Sequence, residues 1–127
     1  MNKTILIVDD EMPTRTLFRI MLQGAGYNTI EAEDGAEALT IIAQEKPDVV
    51  LLDVMMPNMD GFAVCKALRA DEDTASLPIL MFSADTSSTT SVKGMEAGAS
   101  MFLTKPVPRP KLLQILKDVF ATSPTRS

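Results

Sequence analysis

The chain is poor in the residues that build disulfide frameworks and many metal sites. It has a single cysteine, Cys65, and no histidine, which excludes an internal disulfide and a cysteine-rich metal site. No apolar run approaches the roughly 20 residues of a membrane span, and the first residues lead directly into a strand-like run without a signal-peptide pattern. We therefore expect a cytoplasmic protein with no membrane partner.

Basic residues are also too few and too scattered to form a nucleic-acid surface. The net charge is −5 and Lys and Arg form no block, so we expect no nucleic-acid partner within this chain. The 127 residues are 46% hydrophobic and 23% charged, which is typical of one globular domain with its own core. We expect residues 1–121 to form this domain and residues 122–127 to form a flexible C-terminal tail or the start of a linker.

Five short runs predict β-strands. Four of them are almost continuously apolar, which is typical of strands buried on both faces of a parallel sheet. The run at residues 28–32 is more polar, and we expect it near an edge of the sheet. The five runs are residues 4–8, 28–32, 49–53, 78–83 and 100–104.

Helix signals alternate with these strands. Pro13 suits a first helical turn, Asp34 and Asp60 stand where helices begin, and the Ser/Thr-rich segment before Gly98 predicts a helix that begins late and ends there. The residues expected to face the sheet are Leu17, Phe18, Met21 and Leu22, then Ala36, Leu39, Ile42 and Ala43, then Val64, Ala67 and Leu68, and finally Leu112, Leu113, Leu116, Val119 and Phe120. The alternation predicts a doubly wound α/β fold, a parallel sheet with helices on both faces.

Polar side chains stand where four of the strands end. They are Asp9 and Asp10 after the first strand, Asp53 at the end of the third, Ser83 at the end of the fourth and Lys105 after the fifth. In open α/β sheets the functional site lies beyond the carboxyl ends of the strands. We therefore expect these five residues to converge on one edge of the sheet.

This set of residues predicts phosphoryl chemistry. Three carboxylates in one pocket repel each other unless a cation or a proton intervenes, and oxygen ligands without His or Cys suit a hard ion, Mg²⁺ or Mn²⁺. The hydroxyl of Ser83 and the ammonium of Lys105 supply a hydrogen-bond donor and a positive charge for a phosphoryl group. Asp53, at the end of a buried strand, is then the candidate nucleophile, and its product is an acyl phosphate.

The same residues carry a resemblance to a known family. Together with Met56-Pro57-Asn58-Met59-Asp60-Gly61 after Asp53, Ala84 after Ser83 and Pro106 after Lys105, they resemble the receiver domain of two-component response regulators of the chemotaxis-regulator type. The resemblance spans about residues 3–120. It implies a flavodoxin-like (βα)5 fold whose parallel sheet has the strand order 2-1-3-4-5.

The resemblance implies a role for each acid. Asp53 would be the phosphoacceptor, and its phosphoryl group would come from a phosphohistidine on a sensor histidine kinase or a histidine phosphotransferase. Asp10, Asp53 and the backbone carbonyl of Met55 would bind Mg²⁺ directly, and Asp9 would bind it through water.

It also implies a switch. Ser83 and Lys105 would hold the phosphoryl oxygens, and the peptide bond before Pro106 would be cis. Phe102 would turn inward as Ser83 moves toward the phosphate. The alternative interpretation is that Phe102 is an ordinary core or half-buried residue that does not switch. The output surface would be the fourth helix, the fifth strand and the fifth helix.

Several alternative functions remain open within and beyond this family. The chain is expected to catalyse only its own phosphorylation and dephosphorylation, as a monomer or a weak, phosphorylation-dependent dimer. It is a free-standing switch, a relay intermediate that passes phosphate to a histidine phosphotransferase, or a fragment of a longer regulator, and its downstream target is not identified. A flavodoxin-like electron carrier is a remote alternative, because Asp9-Asp10-Glu11 would repel the phosphate of a flavin. An aspartate-nucleophile phosphatase is equally remote, because Glu11 stands where such an enzyme has its second aspartate.

Overall fold

The computed structural model describes residues 2–85 and 87–122, with the side chain of Thr122 left out. The predicted tail, residues 122–127, lies outside the described residues except for Thr122, which is the last residue of the final helix.

Five strands and five helices alternate strictly along the described chain. They are β1 (Thr4–Val8), α1 (Met12–Gly24), β2 (Asn28–Ala32), α2 (Gly35–Glu45), β3 (Val49–Asp53), α3 (Gly61–Ala70), β4 (Ile79–Ser83), α4 (Ser88–Ala97), β5 (Met101–Thr104) and α5 (Arg109–Thr122). The strands match the predicted runs to within a residue at their starts, and α4 begins late and ends before Gly98, as predicted. Asp34 and Asp60 cap α2 and α3 by accepting hydrogen bonds from the third residue beyond them.

All five strands are parallel and lie in the order β2-β1-β3-β4-β5. This confirms the doubly wound fold and places β2, the more polar strand, at an edge. The register pairs Val8 with both Ala32 and Leu52, and it pairs Asp53 with Phe82 and Ser83 with Thr104. The carboxyl ends of the strands therefore form one edge of the sheet.

The core consists of two apolar layers, one on each face of the sheet. Alternate residues of β1 divide between them: Leu6 and Val8 pack in the layer that contains Val64 of α3, whereas Ile5 and Ile7 pack in the other layer. That second layer contains the inward side chains of α1 and α5, namely Phe18, Leu22, Leu112 and Leu116. Period-two alternation with both faces buried explains why these strands read as continuous apolar runs.

Four of the predicted inward helix residues are exposed. They are Leu17, Ala36, Ala43 and Ala67, and Leu17 exposes 56% of its surface. The contact row of α1 against the sheet is Arg15, Phe18 and Leu22, at i, i+3 and i+7, so an arginine takes a place that apolar patterning would give to leucine. None of the described helices is both long and apolar enough to span a membrane.

Candidate functional site

The acids predicted to converge do so at the carboxyl ends of β1 and β3. Carboxylate oxygens of Asp9, Asp10 and Asp53 all lie within 4.8 Å of one another. Asp9 is fully buried and Asp53 is 3% exposed, while Asp10 faces solvent. Hydrogen bonding along the sheet dictates this placement, because the N–H of Asp9 donates to the carbonyl of Ala32 (3.1 Å) and thereby extends the pairing of β1 with β2.

Lys105 neutralises part of this negative charge. Its Nζ lies 2.9 Å from Oδ2 of Asp9 and 3.3 Å from Oδ1 of Asp53, and 5.3 Å from the centre of the Phe82 ring. The backbone N–H of Lys105 donates to the carbonyl of Ser83 (2.9 Å), and the bond between Lys105 and Pro106 has the cis geometry that the resemblance implies. One ammonium group is thus shared between two buried carboxylates.

The pKa of Asp53 reflects this shortage of positive charge. Burial and the neighbouring charge of Asp9 raise its pKa from 3.8 to about 6, although Lys105 and the backbone of Met55 act in the opposite direction. Burial also disfavours the ammonium of Lys105, but its hydrogen bond to Asp9 and the charges of Asp53 and Asp9 outweigh that cost and raise its pKa above the usual value. Asp53 therefore carries a destabilised carboxylate, which is a more basic oxygen nucleophile than an ordinary aspartate.

Ser83 ends β4 at the same edge of the sheet and is fully buried. Its Oγ accepts a hydrogen bond from the N–H of Asp85 (3.0 Å). The carboxylate of Asp85 in turn accepts hydrogen bonds from the N–H of Ser87 (2.8 Å) and the hydroxyl of Thr90 (2.6 Å), which lowers the pKa of Asp85. The serine hydroxyl is therefore linked through one residue to the first turn of α4.

The loop after Asp53 folds back onto the end of β3. The N–H of Gly61 donates to the carbonyl of Val54 (3.0 Å), and a Cβ at Gly61 would collide with the carbonyl oxygen of Asp53. Asn58 adopts a positive φ of 70° in the intervening turn, a conformation that asparagine tolerates. Met55, whose carbonyl is a predicted metal ligand, lies two residues beyond Asp53 with a side chain that is largely exposed.

Phe102 lies apart from the acids, on β5 beneath α4. It pairs in register with Met81 and is half-buried against the core layer that contains α3. Its ring occupies space that a side chain at Gly94 of α4 would need, because a Cβ there would lie 2.6 Å from Cδ2 of Phe102. The absence of a side chain at Gly94 therefore leaves room for the half-buried ring of Phe102.

The chemistry of the donor set fits a hard divalent cation. Asp9, Asp10 and Asp53 offer only oxygen ligands, and Asp10 is open to solvent, so a bound ion can keep several waters as Mg²⁺ does. The acidic cluster is therefore able to hold a metal ion, and the residue set gives no nitrogen or sulfur ligand that would favour a softer metal.

One residue of the site escaped prediction from the sequence. Arg15 of α1 is 9% exposed, and its Nη1 donates a hydrogen bond to the backbone carbonyl of Asp9 (2.7 Å). A signal was present: Arg15 lies on the same helical row as Phe18 and Leu22, and a basic residue in an otherwise buried row requires a buried partner.

Comparison with known proteins agrees with this geometry. A family model described as the response regulator receiver domain matches residues 5–117. The chain belongs to the response regulator receiver domain family. Members of this family are generally signalling domains rather than classical enzymes, and they interact with histidine kinases.

Curated relatives and solved structures support this assignment. The chain is 41% identical over 118 residues to the phosphate regulon transcriptional regulatory protein PhoB of Pseudomonas aeruginosa, covering 93% of this chain and 52% of that protein. It is 47% identical over 106 residues to the alkaline phosphatase synthesis transcriptional regulatory protein PhoP of Bacillus subtilis, covering 84% and 43%. The chain thus spans about half the length of the curated relatives it matches. The structure of the chemotaxis protein CheY4 of Vibrio cholerae superposes with a TM-score of 0.88 at 37% identity and covers 94% of this chain and 99% of that one.

Proposed function

We propose that the chain accepts a phosphoryl group on Asp53 from a phosphohistidine of a sensor histidine kinase or a histidine phosphotransferase, in a reaction that requires Mg²⁺ or Mn²⁺. The observation that supports this most strongly is that the buried carboxylates of Asp53 and Asp9 share one lysine ammonium within the three-acid cluster; the raised pKa of Asp53 is consistent with it. Such a site is poorly neutralised in the resting protein and is suited to a ligand that brings both a cation and phosphoryl oxygens.

The transfer uses the side chains at the edge of the sheet. An oxygen of Asp53 forms a bond to phosphorus while the bond from phosphorus to the donor nitrogen breaks. That nitrogen keeps the electron pair, so a donor ring protonated on its other nitrogen leaves as neutral imidazole, and Asp53 becomes an aspartyl phosphate. Lys105 then pairs with a phosphoryl oxygen, and the hydroxyl of Ser83 donates to another. Asp10, Asp53 and the Met55 carbonyl would hold a divalent cation directly and Asp9 would hold it through water, and the ion would supply positive charge for the phosphoryl oxygens.

The output follows from the contacts of Ser83. The hydroxyl oxygen of Ser83 accepts a hydrogen bond from the N–H of Asp85, and Asp85 holds the first turn of α4, so a movement of Ser83 toward a phosphoryl group would be passed to that turn. Phosphorylation would therefore alter α4 and, beneath it, the ring of Phe102, so that the surface formed by α4, β5 and α5 signals to a partner. Because PhoB and PhoP are named as transcriptional regulators, control of a DNA-binding partner or segment is the favoured output over a phosphorelay intermediate.

Phosphorylation by a small acyl phosphate tests the proposal. With Mg²⁺ present, the protein should gain one phosphate per chain that is stable in acid and labile in alkali. Borohydride should convert the modified residue to homoserine at position 53, which peptide mass mapping identifies. Asp53→Asn should abolish labelling, and the exposed control Asp71→Asn should not change it.

The result that contradicts the proposal is undiminished labelling of Asp53→Asn. A mass map that places homoserine at another aspartate would contradict it equally, because the phosphoacceptor would then lie outside the acidic cluster.

A further inference from the structure

The arginine on the buried row of α1 makes one contact to the backbone of the acid pair and one to a carboxylate of β2. Nη1 of Arg15 donates to the carbonyl of Asp9 (2.7 Å), and its Nε donates to Oε1 of Glu31 on β2 (3.1 Å). Arginine is almost never this buried unless its charge is paired, and Glu31, on the edge strand, supplies the pairing. The guanidinium thus joins the helix, the edge strand and the segment that carries the acids.

The carbonyl that Arg15 holds belongs to the peptide group between Asp9 and Asp10. The N–H on the other side of Asp9 is also held, by the carbonyl of Ala32 (3.1 Å). The backbone of Asp9 is therefore fixed on both sides. Because a peptide group is planar, fixing the Asp9 carbonyl also fixes the direction in which the backbone enters Asp10.

The two acids differ in how their side chains are held. The carboxylate of Asp9 accepts hydrogen bonds from Lys105 (2.9 Å) and from the N–H of Glu11 (2.9 Å), whereas the side chain of Asp10 is exposed. The orientation of Asp10 toward the acidic cluster therefore depends on its backbone more than that of Asp9 does. Arg15 holds that backbone.

We propose that Arg15 is a positioning residue for the acid pair: by fixing the peptide group between Asp9 and Asp10 it sets the affinity of the acidic cluster for a divalent cation. The inference deepens the proposed function, because it rests on the acidic cluster that we propose as the metal site. Residues that orient metal ligands through a second layer of hydrogen bonds typically change metal affinity about 10- to 100-fold when they are replaced.

Arg19 provides a matched control on the same helix. Its Nε lies 3.2 Å from Oε2 of Glu31, the other oxygen of the carboxylate that Arg15 contacts, and its side chain is 41% exposed against 11% for Arg15. Arg15→Gln and Arg19→Gln each remove one positive charge and one contact to Glu31. The two variants differ in the hydrogen bond to the Asp9 carbonyl, which Arg15 donates, and in the burial of the replaced side chain.

Charge alone and positioning predict opposite signs. Removing a positive charge close to three carboxylates strengthens cation binding if the only role of Arg15 is electrostatic. Removing the group that orients Asp10 weakens it. The direction of the change therefore decides between the two roles without reference to phosphorylation.

The test is Mg²⁺ binding measured by calorimetry on the full chain, with far-UV circular dichroism to confirm folding. We expect Arg15→Gln to weaken Mg²⁺ affinity by about 10-fold, at the lower end of the usual range, and Arg19→Gln to leave it within about 2-fold. Arg15→Lys, which keeps the charge but not the two-armed geometry, should fall between Arg15→Gln and the wild type. The amide nitrogen resonance of Asp10 should move in Arg15→Gln and stay in place in Arg19→Gln.

Should Arg15→Gln fail to fold, Arg15→Lys keeps the positive charge but not the two-armed geometry, and it should still bind Mg²⁺ more weakly than Arg19→Lys does. Mg²⁺ binding by Arg15→Gln that equals or exceeds that of the wild type overturns the inference, as does absence of Mg²⁺ binding by the wild type. A wild-type protein that binds Mg²⁺ with the expected dependence on Arg15 but accepts no phosphate would contradict the proposed function alone.

Discussion

At the carboxyl ends of the strands two buried carboxylates share one ammonium group, whereas at the opposite end of the sheet one guanidinium serves several acceptors. There Arg69 of α3 donates to the carbonyls of Gly98 (2.8 Å) and Leu77 (2.7 Å), and to those of Thr74 (3.3 Å) and Ala75 (3.2 Å). These contacts tie the end of α4 and the loop before β4 to α3.

The two ends of the sheet differ in whether their charged and polar groups are fully paired. At the acidic end negative charge exceeds positive charge, and the cost appears as the raised pKa of Asp53. At the opposite end, backbone carbonyls that would otherwise be poorly satisfied receive donors from a single side chain. One end of the sheet stores unfavourable electrostatic energy that a ligand can relieve, and the other end contributes to the stability that tolerates it.

The largest expected effect comes from disrupting the opposite end. Arg69→Ala leaves the carbonyls of Gly98 and Leu77 without their donor, so we expect the free energy of unfolding to fall by about 3 kcal/mol. Urea denaturation measures this loss. Arg69→Lys, which cannot reach these acceptors in the same fork, should give a smaller loss.

Phosphorylation should persist in Arg69→Ala under conditions where the variant is folded, because the backbone carbonyls that accept from Arg69 lie at the end of the sheet opposite the acidic cluster. A loss of stability below about 0.5 kcal/mol, as for an ordinary surface substitution, would contradict the role given to this arginine.

The second expected effect is a gain in the free energy of unfolding when Asp53 is replaced. The folded-state pKa of Asp53, about 6, lies above the ordinary 3.8, so the folded protein binds the proton more tightly and loses stability as pH rises from about 4 to about 6. Asp53→Asn removes this loss, and we expect it to stabilise the protein by up to about 3 kcal/mol near pH 7.5. Urea denaturation across pH measures the gain, which should shrink steadily below pH 6 and vanish near pH 4. A variant that is destabilised at neutral pH would contradict the account.

The smallest expected effect on stability comes from Gly94 of α4, beside the ring of Phe102. Gly94→Ala gains helix propensity but meets the ring of Phe102 at 2.6 Å, so we expect a net destabilisation of about 1 kcal/mol. Gly24→Ala, at the end of α1 with nothing within 4 Å of the added Cβ, should be neutral or stabilise by up to about 1 kcal/mol.

A double-mutant cycle separates the collision from propensity. Adding Phe102→Ala should reverse the penalty of Gly94→Ala, and chemical denaturation of the four proteins gives the coupling energy. Equal effects of Gly94→Ala and Gly24→Ala would show that the ring does not occupy the space beside Gly94.

The elements and the convergence of the acids were predictable from the sequence, and the strand order followed from the family resemblance. Continuous apolar runs that end in Asp53 and Ser83 carry a strong signal, because a polar group at the tip of a buried strand needs a partner. The roles of Arg15 and Arg69 were not predicted. Both arginines donate to backbone carbonyls. The position of Arg15 on a buried row indicates that it needs a partner, but a carbonyl is present at every residue, so the sequence does not indicate which one receives the donor.

The exposure of Leu17 was missed for a related reason. Apolar spacing gives the angular width of a helix face but not which row of that face contacts the sheet. In α1 the contact row includes Arg15, whose buried partner lies on a different element. Only the assembled sheet fixes that choice.

The most direct test of the excess negative charge at the acidic end is the titration of Asp53 itself. Carbon-detected NMR of the metal-free protein should give a midpoint at about pH 6 for Asp53, and a midpoint below the ordinary aspartate value for Asp85, whose carboxylate is held by donors. Added Mg²⁺ should lower the Asp53 midpoint. A metal-free midpoint for Asp53 at the ordinary value of 3.8 or lower would contradict the account.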